Sequence, residues 1–142
     1  MFFKKDKKDN ENSDFIKVAA LLIHAAKIDE HYSKKEEEII AKALIKIGAN
    51  NQNIKQIIEE GCSLEENSNQ ILEFTKEIKN MDKKNKVRII ETLWKIIYSN
   101  NEADIYESNL MRRLAGLLYI DNKIMGDIKE KIKKETLNDI HS

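Results

Sequence analysis

The chain writes one pattern twice. Ala26-Lys27-Ile28-Asp29-Glu30-His31-Tyr32-Ser33-Lys34-Lys35-Glu36 leads into an apolar-periodic segment, and Ile97-Tyr98-Ser99-Asn100-Asn101-Glu102-Ala103-Asp104-Ile105-Tyr106-Glu107 leads into another. Asp29 and Asn100 stand 71 positions apart, as do Glu36 and Glu107, and in each copy seven positions separate the first oxygen-bearing residue from the glutamate. A duplicated helix, loop and helix, with oxygen-bearing side chains at the corner, is what such a repeat can fold into. It points to a binding or interaction module rather than to a catalyst.

The rest of the composition agrees with helices. The chain has no proline, and 35% of its residues are charged, which suits amphipathic rods and not sandwiches or barrels. With 142 residues, one domain can bury roughly 68–70% of its unfolded surface, enough for a real core. Lys plus Arg and Asp plus Glu balance at 25 each, so no net field draws the protein to nucleic acid. Cys62 is the one cysteine, which excludes an internal disulfide or a thiolate zinc site and suits a reducing cytosol. Nothing in Glu59-Glu60-Gly61-Cys62-Ser63 supplies a cation or a base to activate it, so packing is its expected role. Met1-Phe2-Phe3-Lys4-Lys5 is followed by charge and not by the apolar run of a secretory leader, and no apolar stretch reaches the ~20 residues that span a bilayer. A soluble, cytoplasmic protein is the expectation.

Along the chain, residues 1–13 read as a disordered polar segment, 14–138 as the helical domain and 139–142 as a tail. Ser13 or Asp14 can cap a first helix whose Val18, Leu21, Leu22, Ala25 and Ile28 recur as a buried stripe, ending near Lys27. Ser33 and Glu36 have the spacing of a capping box, and Ile39, Ile40, Ala43, Leu44 and Ile47 carry the next apolar face to Gly48, a left-handed stop. After the polar turn Asn50–Asn53, Ile54, Ile57 and Ile58 mark a short helix that stops at Gly61. Ile71, Leu72, Phe74, Thr75 and Ile78 predict a fourth helix. Asp82 or the residue beside it starts a fifth through Val87, Ile90, Leu93, Trp94 and Ile97. Asp104 with Glu107 repeats the cap spacing before Leu110, Met111, Leu114, Leu117 and Leu118, and Asp121 can cap a seventh helix carrying Ile124, Ile128, Ile132 and Leu137. The fold class is all-α: a single-domain bundle of about seven helices containing two repeated hairpins.

These residues carry a resemblance. An apolar helix ending in Ala-x-x-Asp, a glutamate seven positions later and a following amphipathic helix, present near both ends of a small chain, resemble the TerB family. That family is named for tellurite resistance and includes a domain of the membrane-anchored J-domain co-chaperone DjlA. Leu93-Trp94, Asn100-Asn101, Glu107, Arg112-Arg113-Leu114-Ala115 and Leu117-Leu118 are similar to the family's second run, and the likeness extends from about Phe15 to about Leu137. The chain departs from the family at both loops. Glu30 follows Asp29 where the family has glycine, and Asn100-Asn101 replaces Asp-Gly, so one formal charge is missing from the second corner. A left-handed backbone would strain Glu30 more than Asn101.

Two chemistries compete for the corners. The resemblance implies a metal site, in which Asp29, Glu36, Asn100 and Glu107 would converge as an oxygen cluster for a hard divalent cation, calcium or magnesium, completed by water or backbone carbonyls. Capping explains the same residues without a metal: a glutamate at the third helical position reaches back to the cap, and Asp29 or Asn100 can turn the backbone. The twelve-residue EF-hand pattern is absent. His24 and His31 lack a third nitrogen or sulfur ligand for zinc, although His31 could join a cation near Asp29; His141 falls in the tail. Trp94 and Phe74 fit core positions, and Lys129 to Glu135 form a solvated face.

There is no phosphate loop, no Ser/His/Asp set and no Cys/His set. The function expected is that of a non-enzymatic TerB-like stress-response or co-chaperone module that docks a protein partner, membrane-associated in the co-chaperone case, binds no nucleic acid and holds no cofactor other than a divalent cation. The alternative is a metal-dependent hydrolase, with water on a cation held by Asp29, Glu36 and Glu107.

Overall fold

Six consecutive residues, Val18 to Ile23, all have no exposure to solvent. Six consecutive positions on a helix point in every direction, so the segment carrying them must be enclosed rather than laid on a surface. The computed structural model describes the backbone of residues 2–28, 32–68, 70–99 and 105–141, and the side chains of residues 13–28, 32–68, 70–99 and 109–136. Within it the enclosed segment belongs to α1 (Phe2–Lys27), which packs against α2 (Lys34–Lys46), α3 (Ile54–Glu66), α4 (Leu72–Ile78) and α5 (Lys83–Tyr98). The remaining helices are α6 (Ile105–Leu117) and α7 (Asn122–His141), the latter laid along α5, and a single 3-10 turn, Asn51–Asn53, precedes α3. The described residues contain no strand.

The polar segment ahead of Asp14 differs from expectation. The backbone of α1 is already helical at Phe2, upstream of the Ser13 or Asp14 cap. Neither proline nor glycine interrupts residues 1–47, so extending an anchored helix costs only propagation. The apolar stripe of α1 is also wider than its periodicity suggests. Ala19, Ala20, Ile23 and Ala26 are as buried as Val18 and Leu22, while Ile28 is half-buried.

The expected stop at Gly61 is not one. α3 runs on to Glu66, and Gly61 faces α1: a Cβ built there would stand 2.8 Å from the Ala19 Cβ and 3.3 Å from the Ala20 backbone nitrogen. The missing side chain lets two helices approach, a tertiary reason that outweighs glycine's poor helix propensity.

The repeat seen in the sequence reappears in the backbone with the same offset. α2 and α6 are each 13 residues long, and both begin and end 71 positions apart, as do the last residues of α1 and α5. Both hairpins also end alike. The Gly48 N–H donates to the Ile45 carbonyl at 3.1 Å and the Ala49 N–H to that of Leu44 at 2.9 Å. Tyr119 and Ile120 donate to Gly116 at 3.3 Å and to Ala115 at 2.9 Å. This is the helix stop that needs one left-handed residue, at φ +118° for Gly48 and +57° for Tyr119. The next turn matches too: the Asn50 Oδ1 accepts from the Gln52 N–H at 3.0 Å, and the Asp121 Oδ1 from the Lys123 N–H at 2.9 Å.

Candidate metal centre

Of the four oxygen-bearing residues singled out at the corners, Glu36 is the one whose side chain is described. Asp29, His31 and Asn100 lie outside the described residues, and so does Asp104. Glu107 occupies the third position of α6, the register Glu36 has in α2, with its side chain outside the described set. Helix α1 ends at Lys27 and α2 opens at Lys34, while α5 ends at Tyr98 and α6 opens at Ile105, so each corner does separate two rods.

Ser33 is extended, with φ −89° and ψ 164°, and caps α2 in both directions. Its Oγ accepts from the Glu36 N–H at 3.2 Å, and the Glu36 Oε1 accepts from the Ser33 N–H at 3.0 Å. Two orphan donors of the helix start are thereby satisfied, as the sequence spacing requires. Capping does not explain the whole side chain, however. Glu36 is 2% exposed, and its Oε2 is buried without a hydrogen-bond partner among the described residues. A cap on a solvated helix end has no need of such burial, and an unpartnered carboxylate oxygen away from water is costly.

A second buried oxygen lies beside the same loop. The Tyr32 hydroxyl also has no partner among the described residues. Burial pushes the phenol well above its ordinary range, with smaller contributions from Cys62, Glu37 and Glu36. The sequence signal for Tyr32 was its place immediately before the cap, where an apolar ring packs against the core.

The flank of this corner is polar and largely paired. Glu65 of α3 receives Lys27 Nζ at 2.9 Å and His24 Nδ1 at 3.3 Å, tying α3 to the end of α1. The hydrogen bond that Lys27 donates to Glu65 raises its ammonium above the ordinary value, against a smaller opposing cost of burial. His24 is thus engaged while its side chain stays 39% exposed. Cys62 is partly buried against the core, and burial lifts its thiol despite Lys27 nearby, which agrees with packing rather than reactivity. Phe74 and Trp94 are core residues as expected, at 2% and 3% exposure. Among the described residues no three His, Cys, Asp or Glu side chains are grouped to hold a metal. A cation site at the corners would need oxygens from the loops outside that set in addition to Glu36.

Comparison with known proteins bears on the whole chain. The family model described as tellurite resistance protein TerB matches residues 15–130. The chain belongs to the TerB family. The match spans both corners and the helices that they join, and it gives no support to a hydrolase. No curated protein and no solved structure matches. Among the described residues no helix is long and apolar enough to cross a membrane.

Proposed function

We propose that this TerB-family chain is a non-enzymatic docking module whose two corners together hold a divalent cation. Glu36 Oε2 is the anchoring oxygen, and Asp29, Asn100 and Glu107 complete the set. The observation that carries the reading is the buried carboxylate oxygen of Glu36: its twin closes the helix cap, and it is itself left without a described partner. A hard cation would supply what that oxygen lacks, and residues 29–31 and 100–104 carry in sequence the additional carboxylate and carboxamide oxygens such an ion prefers. Asn100 in place of an acid makes calcium or magnesium binding weaker than an all-carboxylate set would give. The cation would fix the corners, and the helical surface around them would meet a protein partner in stress-response or co-chaperone work in the cytoplasm.

Calorimetric titration of the purified protein with calcium, magnesium and manganese tests the site. One of these ions should release or absorb heat and raise the melting temperature, and the response should disappear in Glu36→Gln and in Asp29→Asn/Glu107→Gln. A site filled to 100 times its dissociation constant adds about 2.7 kcal/mol of stability. A silent titration of the wild type with all three ions removes the cation from this reading. A melting temperature lowered equally by the substitutions with and without metal would assign these side chains to helix ends alone.

A further inference from the structure

Tyr119 occupies the position that Gly48 holds in the other hairpin. It is the one non-glycine residue at positive φ among the described residues, at +57°, and its side chain is 74% exposed. Left-handed backbone disfavours a residue with a Cβ, and a ring held in water gains nothing by burial in return. Glycine would serve this stop better, as it does 71 positions earlier, so the tyrosine answers to something other than the fold.

Its surroundings indicate what. Leu72 is 47% exposed and lines the same cleft, about 290 Å³ in volume, between α4 and α6. Two of the three large hydrophobic side chains exposed among the described residues thus share one depression. Helix α4 and its C-cap residue Lys79 present Leu72, Lys76 and Lys79 to it at positions i, i+4 and i+7, one face of the helix. Lys79 Nζ lies 5.8 Å from the centre of the Tyr119 ring. A Cβ at Gly116, on the α6 wall, would meet nothing within 4 Å, so that wall is open. No carboxylate is among the lining residues, and the adjoining hollow, which Tyr119 also lines, carries Lys83 and Lys86 with one carboxylate, Asp121. In a chain with no net charge this is a local concentration of cations around two apolar walls.

We propose that the cleft between α4 and α6 docks an acidic segment of a partner protein. An apolar side chain of the segment would lodge between Leu72 and Tyr119, and its carboxylates would pair with Lys76 and Lys79. The proposal rests on the docking-module reading and gives that module its surface and its partner's chemistry. A concave site suits a single anchoring side chain, whereas a lipid surface would call for a convex, protruding patch.

Fluorescence anisotropy with the full chain tests it, using a short fluorescein-labelled peptide of glutamates and aspartates around one leucine and one phenylalanine. Wild type should bind saturably and more weakly as salt rises. Lys76→Glu/Lys79→Glu and Tyr119→Gly should each weaken binding roughly tenfold or more. Tyr119→Gly is the decisive variant because its melting temperature should equal or exceed that of wild type, which separates loss of binding from loss of fold. Equal affinity of Tyr119→Gly, equal binding of a peptide with glutamine and asparagine in place of the acids, or no binding of the acidic peptide would each overturn the proposal. Phosphatidylglycerol vesicles that bind through the same residues while the peptide does not would overturn it in favour of lipid. Amide shift mapping that places the peptide elsewhere would sink the cleft but leave the docking reading intact. The cation titration fails or succeeds independently of all of these.

Discussion

In the first half of the molecule α3 crosses α1 where Gly61 meets Ala19. At the corresponding positions of the second half, 71 residues on, α7 and α5 carry Ile132 and Ile90, both essentially without exposure. One pair of helices meets through its smallest residues, and the corresponding positions of the other pair hold two buried isoleucines. Both pairs are parts of one continuous core. Helix separation follows the side chains at the contact, so the same succession of caps and turns can carry a close crossing and a wider one. The close crossing belongs to α1, which is enclosed by four other helices, and alanines at 19, 20, 25 and 26 leave room for them. What repeats is therefore the backbone punctuation, and what diverges is the filling.

Truncating the filled side should do the most damage. Ile132→Ala removes buried atoms from a position with no slack and is expected to cost about 3–4 kcal/mol, read by urea unfolding. Gly61→Ala tests the opposite error. Its new Cβ would need the Ala19 methyl and the Ala20 backbone to give way, a penalty of about 1–3 kcal/mol that alanine's better helix propensity only partly offsets. Should Gly61→Ala instead stabilise the protein, the two crossings would be equally tolerant and the contrast drawn between them would fail.

Next in size, the two helix stops should answer substitution with opposite signs. Gly48→Ala forces a Cβ into φ +118° and should cost about 1 kcal/mol or more, whereas Tyr119→Gly relieves a left-handed tyrosine and should gain up to about 1 kcal/mol. Thermal unfolding of the two single variants decides it. A loss of stability in both would mean that the Tyr119 ring supports the fold through Lys79 or its neighbours, contrary to the role assigned to it.

These contrasts also mark what the sequence could reveal. Local rules were readable: Ser33 with Glu36, Asp82 accepting from the Asn85 N–H, Asp121 before α7 and Gly48 in left-handed backbone each follow from spacings of two to five residues. Tertiary facts were not. Gly61 looked like a terminator because glycine is a poor helix residue, and only Ala19, forty-two positions away, explains its presence in the middle of α3. Alanine is neutral in an apolar pattern, so the stripe of α1 understated an enclosure that depends on Ala19 and Ala20. The cap role of Glu36 was legible, but the burial of its second oxygen depends on what packs over it. Tyr119 was within reach, since aligning the two copies at an offset of 71 sets it against Gly48, and its cost appears as soon as that comparison is made.

The smallest effect concerns an ion pair whose corresponding positions in the other half carry no charge. Lys27 and Glu65 join α1 to α3, while the corresponding positions hold Tyr98, which stacks on Trp94, and Thr136, whose hydroxyl donates to the Ile132 carbonyl of its own helix. The Lys27 side chain is 34% exposed, so the pair is screened by water, and Lys27→Met should cost only about 0.5 kcal/mol near neutral pH. The sign of its pH dependence follows from the ammonium. Glu65 raises the folded pKa of Lys27 above its ordinary value of 10.5, so the folded state holds this proton more tightly than the unfolded chain does. The contribution is present in full below 10.5 and is lost as pH rises through the folded pKa. The difference in unfolding free energy between wild type and Lys27→Met should therefore stay constant from about pH 8 to 10 and shrink towards zero in stronger alkali. A difference that persists undiminished there would assign the loss to packing at this position and not to the charge of Lys27.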